Sequence, residues 1–101
     1  MSVVADLTDA IKLDRDNQYL YYNRGCAYLY NKDYTLAIDD FTRAIAIDQR
    51  LAEAFYNRGL ARISAGNRQE GIADLSKAGE LGLYGAYSVI KKVSAEGGKT
   101  K

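Results

Sequence analysis

Few residues in this chain could do chemistry, and they recur at regular spacing. Cys26 is the only cysteine, and there is no histidine in the 101 residues. That removes the Cys-His and Ser-His arrangements of nucleophilic catalysis and the commonest zinc ligand. Asp39 and Asp40 are adjacent acids. Neighbours on a helix do not face each other, so the pair reads as a solvated face and not as a metal or acid dyad. Gly79, Gly82 and Gly85 make no phosphate loop, because no lysine-serine or lysine-threonine follows and no strand precedes. Arg24 and Arg58 are suited to structural ion pairs with Asp39, Asp40 or Asp74. Only Arg24 or Lys91 could activate Cys26, which reads more simply as a small buried apolar residue. The remaining chemistry lies in Tyr22-Asn23 and Tyr56-Asn57. Tyrosine offers area and a hydroxyl at little rotamer cost. Asparagine both donates and accepts hydrogen bonds. No acid–base pair, nucleophile–base arrangement or metal cluster emerges, so the expectation is a non-enzyme with no cofactor and no metal.

These residues are set by a repeat. Tyr21-Tyr22-Asn23-Arg24-Gly25 returns as Phe55-Tyr56-Asn57-Arg58-Gly59, offset by 34 residues. Ala27 returns as Ala61, Ile38 as Ile72 and Asp40 as Asp74. Two positions occur three times, as Leu7/Phe41/Leu75 and Ala10/Ala44/Ala78. A fixed period of this length signals stacked supersecondary units.

Composition sets the outer bounds. Apolar content is 48%, enough to build a core. The net charge is +1 with signs interspersed, which argues against a nucleic-acid binder. No apolar run approaches the ~18 residues of a membrane span. The opening Met1-Ser2-Val3-Val4-Ala5-Asp6 lacks the basic start of a signal peptide. A single cysteine permits no internal disulfide and fits a reducing, cytoplasmic setting. The absence of proline agrees with helices.

Apolar spacing predicts the elements. A first helix over 3–13 carries Val3, Leu7, Ala10, Ile11 and Leu13 on one stripe. Asn17 is a plausible N-cap for a second helix over about 18–30. A third runs over about 34–47, with Ala37, Ile38, Phe41, Ala44 and Ile45 inward. A fourth covers about 52–65, ended by Gly66 at positive φ. A fifth covers about 68–80, and a last one 84–93. The expected division is one domain over 1–96, with a half-repeat helix at 3–13, repeats at 18–48 and 52–81, and a capping helix at 84–93. Residues 97–101 read as a flexible tail.

The repeat resembles the tetratricopeptide repeat family, whose pattern is aromatic-x-x-Leu-Gly-x-x-Tyr followed by Ala-x-x-x-Phe on a 34-residue unit. The first unit here gives Tyr21-x-x-Arg24-Gly25-x-x-Tyr28 and Ala37-x-x-x-Phe41. The second gives Phe55-x-x-Arg58-Gly59-x-x-Arg62 and Gly71-x-x-x-Leu75. Arg24 and Arg58 replace the usual leucine, and Gln49 the closing proline. Gly71 stands where a small alanine belongs, and it and Gly79 are expected to loosen the fifth helix. The resemblance implies an all-α, right-handed α-solenoid of antiparallel helix hairpins. Gly25 and Gly59 would then lie where helices cross closely.

The resemblance also implies a concave peptide-binding groove. Its positions carry over to Tyr19, Tyr22, Asn23, Cys26, Leu29 and Tyr30, then to Glu53, Tyr56, Asn57, Leu60 and Ile63. The last helix would add Tyr87, Ile90 and Lys91. One subfamily clamps a C-terminal carboxylate with lysine, asparagine and arginine. Of its five positions only Asn57 matches; Lys91 stands for the arginine, and Tyr22, Cys26 and Tyr87 fill the others. The expected partner is a protein or peptide, with no nucleic acid and no membrane. Two competing expectations are a homo-oligomer through the terminal helices and an excerpt of a longer array.

Overall fold

In the computed structural model, residues 2–99 are described and form six helices in chain order. They are α1 (Val3–Leu13), α2 (Gln18–Tyr30), α3 (Tyr34–Ile47), α4 (Ala52–Ser64), α5 (Arg68–Glu80) and α6 (Gly85–Lys99). There is no strand among the described residues. The helix α6 runs past Val93 and takes in residues 97–99, which the sequence suggested as tail. Thr100 and Lys101 lie outside the described residues.

Local signals set the ends. Ser2 Oγ accepts from the Ala5 amide at 3.4 Å, and Asn17 Oδ1 accepts from the Tyr19 amide at 3.0 Å. Three helices close with a doubled C-terminal hydrogen-bond pattern. The amides of Asp33, Asn67 and Leu83 donate back to the carbonyls of Tyr28, Arg62 and Ala78. This turn needs a left-handed residue. Gly66 and Gly82 supply it at φ 98° and 109°, and Lys32 adopts φ 65° in the same role.

Consecutive helices pack antiparallel into a pile 47 × 26 × 16 Å in extent. The apolar stripes meet in three clusters. Ile11, Tyr21, Ala44, Leu51 and Ala54 close the first, and Ala37, Phe41 and Ala61 the second. Leu75, Ala78 and Ala86 close the third, with Phe55, Leu83, Val89 and Ile90 against them.

Glycine sets how closely the helices approach. A Cβ on Gly25 would lie 2.8 Å from the fully buried Phe41 ring. A Cβ on Gly59 would lie 2.8 Å from the Gly71 carbonyl oxygen. A Cβ on Gly71 would lie 2.5 Å from Ile63 Cγ1. Gly71 is therefore required by the α4–α5 crossing and is more than a weak point in its helix. Gly79 likewise makes room, since a Cβ there would meet the Tyr87 ring at 2.5 Å.

Two guanidinium groups tie the pile together. Arg24 Nε and Nη2 donate to both oxygens of Asp40, at 2.7 and 2.8 Å, and Nη1 donates to Thr8 Oγ1 at 3.1 Å. Arg58 repeats this with Asp74, at 2.9 and 2.8 Å, and with Thr42 at 3.1 Å. Arg62 adds a 2.8 Å contact to Asp74. Each link spans three consecutive helices, and both aspartates are buried. The expected pairing holds for Asp40 and Asp74, while Asp39 is exposed.

Candidate peptide-binding groove

The leading helices of successive hairpins are α2, α4 and α6. The 34-residue period gives them the same face, so equivalent side chains form rows across the pile. Tyr19, Glu53 and Tyr87 form one row, and all three are exposed. Tyr22, Tyr56 and Ile90 form the next and are half-buried.

At the centre, Asn57 Nδ2 donates to the Tyr22 hydroxyl at 2.9 Å and to the Glu53 carbonyl at 3.1 Å. This joins the two repeats across α2 and α4. Asn57 Oδ1 has no hydrogen-bond partner among the described residues, which leaves an acceptor on the surface. The Tyr22 ring lies tilted against Phe41 with centroids 5.8 Å apart. Burial, and next the neighbouring Cys26 side chain, push the Tyr22 phenol up to about 12. Burial also raises the Cys26 thiol, against an opposing contribution from Tyr22. Cys26 is therefore kept as a thiol, the unreactive form.

The other predicted residues divide. Asn23, Cys26 and Tyr30 line an open cleft of about 520 Å³ with Val3 and Val4 of α1 and its capping residue Ser2. Tyr56 and Leu60 are turned partly into the third apolar cluster. The Tyr87 ring rests on Gly79 yet stays 47% exposed. Lys91 is exposed. Leu29 and Ile63 pack against the second and third clusters, so both serve the core more than the groove. The α1 side of the cleft, Val3 and Val4, was not anticipated. Its signal was available: Val3 corresponds to Ala37 one period on, and it is the larger residue.

No group of three or more His, Cys, Asp or Glu among the described residues could hold a metal. Among them, too, no helix is long and apolar enough to cross a membrane.

The family profile described as Tetratricopeptide repeat matches residues 19–51. The solved TPR domain of Arabidopsis OM64 is 33% identical, with a TM-score of 0.88, over 92% of this chain and 78% of that one. This chain belongs to the tetratricopeptide repeat family. The second TPR domain of human RPAP3, solved in complex with the HSP70 peptide SGPTIEEVD, is 31% identical. It superposes with a TM-score of 0.85 over 90% of this tetratricopeptide repeat chain and 78% of its own. The first TPR of Spaghetti (RPAP3), bound to the HSP90 peptide SRMEEVD, is 26% identical. Its TM-score is 0.87 over 92% and 75% of the two chains. A search of curated proteins found no match.

Proposed function

We propose that this tetratricopeptide repeat domain is a non-catalytic protein–protein interaction module that takes a peptide segment on the face of α2, α4 and α6. The observation that carries this is the Tyr22–Asn57 hydrogen bond, which fixes an amide between two repeats and leaves its solvent-accessible oxygen without a protein donor among the described residues. A peptide N–H is the natural donor to such an oxygen. The exposed Tyr19 and Tyr87 supply flanking aromatic area. Relatives of the same fold hold chaperone peptides ending in EEVD, which makes peptide capture the leading use.

The ligand differs in chemistry from those peptides. Tyr22, Cys26 and Tyr87 stand where the carboxylate-clamping subfamily has lysine, asparagine and lysine. The Tyr22 phenol stays neutral, and burial keeps Cys26 protonated. Neither can replace a cation facing a C-terminal carboxylate. The preferred ligand is a segment of mixed apolar and polar character, read along its backbone.

Titration of a peptide library by fluorescence anisotropy tests this reading. It should include SRMEEVD with free and amidated C-termini. Micromolar binding that ignores amidation and is lost on combined Tyr22→Ala, Tyr56→Ala and Asn57→Ala substitution supports it. Nothing tighter than about millimolar, about −4 kcal/mol, across the library would remove it.

A further inference from the structure

The two arginine links have one order. A trailing helix supplies a hydroxyl (Thr8, Thr42), the next leading helix the guanidinium (Arg24, Arg58), and the following trailing helix the carboxylate (Asp40, Asp74). A step of 34 residues in either direction reaches half of a further link. Toward the start, Asp40 corresponds to Asp6 on α1. Toward the end, Thr42 corresponds to Ser76 on α5, and Arg58 to Lys92 on α6. Asp6 and Lys92 are both exposed, and neither has an ion-pair partner among the described residues. The α1 face offers a carboxylate in want of a cation. The α6 face offers a cation in want of a carboxylate.

The apolar positions agree. Ala37, Phe41 and Ala44 are fully buried on α3. Their equivalents on α1 are Val3, which is 61% exposed, and Leu7 and Ala10, both half-buried. On α6, Val89 and Val93 are also half-buried. Val93 occupies the position of Gly25 and Gly59, which receive Phe41 and Leu75. Val93 is larger than either glycine, so Leu7 would meet it at a wider helix spacing than Gly25–Phe41 or Gly59–Leu75. In side chains and in charge, the two faces are the halves of one helix hairpin.

We propose that these faces join copies of this chain head to tail, with α1 of one copy packed on α6 of another and Asp6 paired with Lys92. The contact is heterologous, so copies add in a row and do not close as a twofold pair. It meets the candidate groove only at Val3, so the Asp6 and Lys92 reversals test it separately from the peptide reading. Loss of one would leave the other standing.

Sedimentation velocity and light scattering of the 101-residue chain, from micromolar to millimolar, test the proposal. The wild type should rise above 11.2 kDa with concentration. Asp6→Lys and Lys92→Asp should each weaken association about tenfold or more by placing like charges together. The double variant Asp6→Lys/Lys92→Asp should recover it, as should an equimolar mixture of the two single variants. Circular dichroism should show all variants folded, since both positions are exposed. A wild type that stays at 11.2 kDa throughout would overturn the proposal. So would association that neither reversal weakens.

Discussion

Arg24 and Asp40 show how much a single side chain can carry in this fold. The carboxylate is 4% exposed and the guanidinium 17%, so each depends on the other for solvation. The guanidinium also lies 6.0 Å from the Tyr21 and Tyr28 ring centroids. Arg24→Ala would strand a buried charge and should cost about 3 kcal/mol in urea unfolding. Replacing both partners with apolar residues, as in Arg24→Met/Asp40→Leu, should cost much less, because no charge is left unpaired. At Tyr22 the expected effect is on pH dependence. Its folded-state value of about 12 lies above the ordinary value of 10.0. The folded state therefore holds the phenolic proton longer than the unfolded chain does. Stability should be unaffected by this group below pH 10 and should fall as pH rises from 10 toward 12. Ultraviolet titration should show a late phenolate step that Tyr22→Phe abolishes, together with a shallower alkaline loss of melting temperature. An unchanged late step in Tyr22→Phe would refute the assignment.

Between helices, glycine gives the sharpest test, because propensity and packing predict opposite signs. Gly71→Ala on helix propensity alone should stabilise α5 by roughly 1 kcal/mol. The geometry puts the new methyl 2.5 Å from Ile63 Cγ1 and 2.7 Å from the Gly59 carbonyl oxygen. The expected result is a loss of about 1–3 kcal/mol, read as a lower urea midpoint. A gain would mean that α4 and α5 do not cross where Gly59 and Gly71 meet. Lys32 gives the reverse case. It holds φ 65° where the equivalent turn has Gly66. Lys32→Gly should therefore stabilise the domain by about 0.5–1 kcal/mol. These residues also show what a single sequence reveals. The ends of the first five helices, to within a residue, and the capping role of Asn17 were legible from period and local chemistry, and the close crossings at Gly25 and Gly59 from the family resemblance. The demands on Gly71 and Gly79 were not, because each depends on a side chain from another helix. The Tyr22–Asn57 bond was hidden for the same reason: its partners are 35 residues apart, one off the repeat, so periodicity alone cannot pair them.

Across the whole molecule, stability is distributed one interface at a time, as expected for a stack in which each helix touches mainly its neighbours. The Arg24 and Arg58 links reinforce this by tying α1 to α3 and α3 to α5, beyond adjacent contacts. Among the described residues no such link secures α6. It is held by the third apolar cluster, where Leu83, Ala86, Val89 and Ile90 cover Leu75 and Ala78. Leu75 and Ala78 are fully buried between the side chains of α4 and those of α6. Ending the chain before Leu83 would expose both and would also uncover Gly79 where the Tyr87 ring rests. With ~25 cal/mol for each Å² of apolar surface returned to water, the loss should be several kcal/mol, a large part of the stability of a domain this small. The melting temperature should fall by tens of degrees, on the scale of ~4–8 °C for each kcal/mol. Hydrogen exchange should show the loss first in α5 and last in α2 and α3, because α5 is the helix that α6 chiefly packs on. A uniform loss of protection would show that the pile unfolds as one unit and that the arginine links couple its ends.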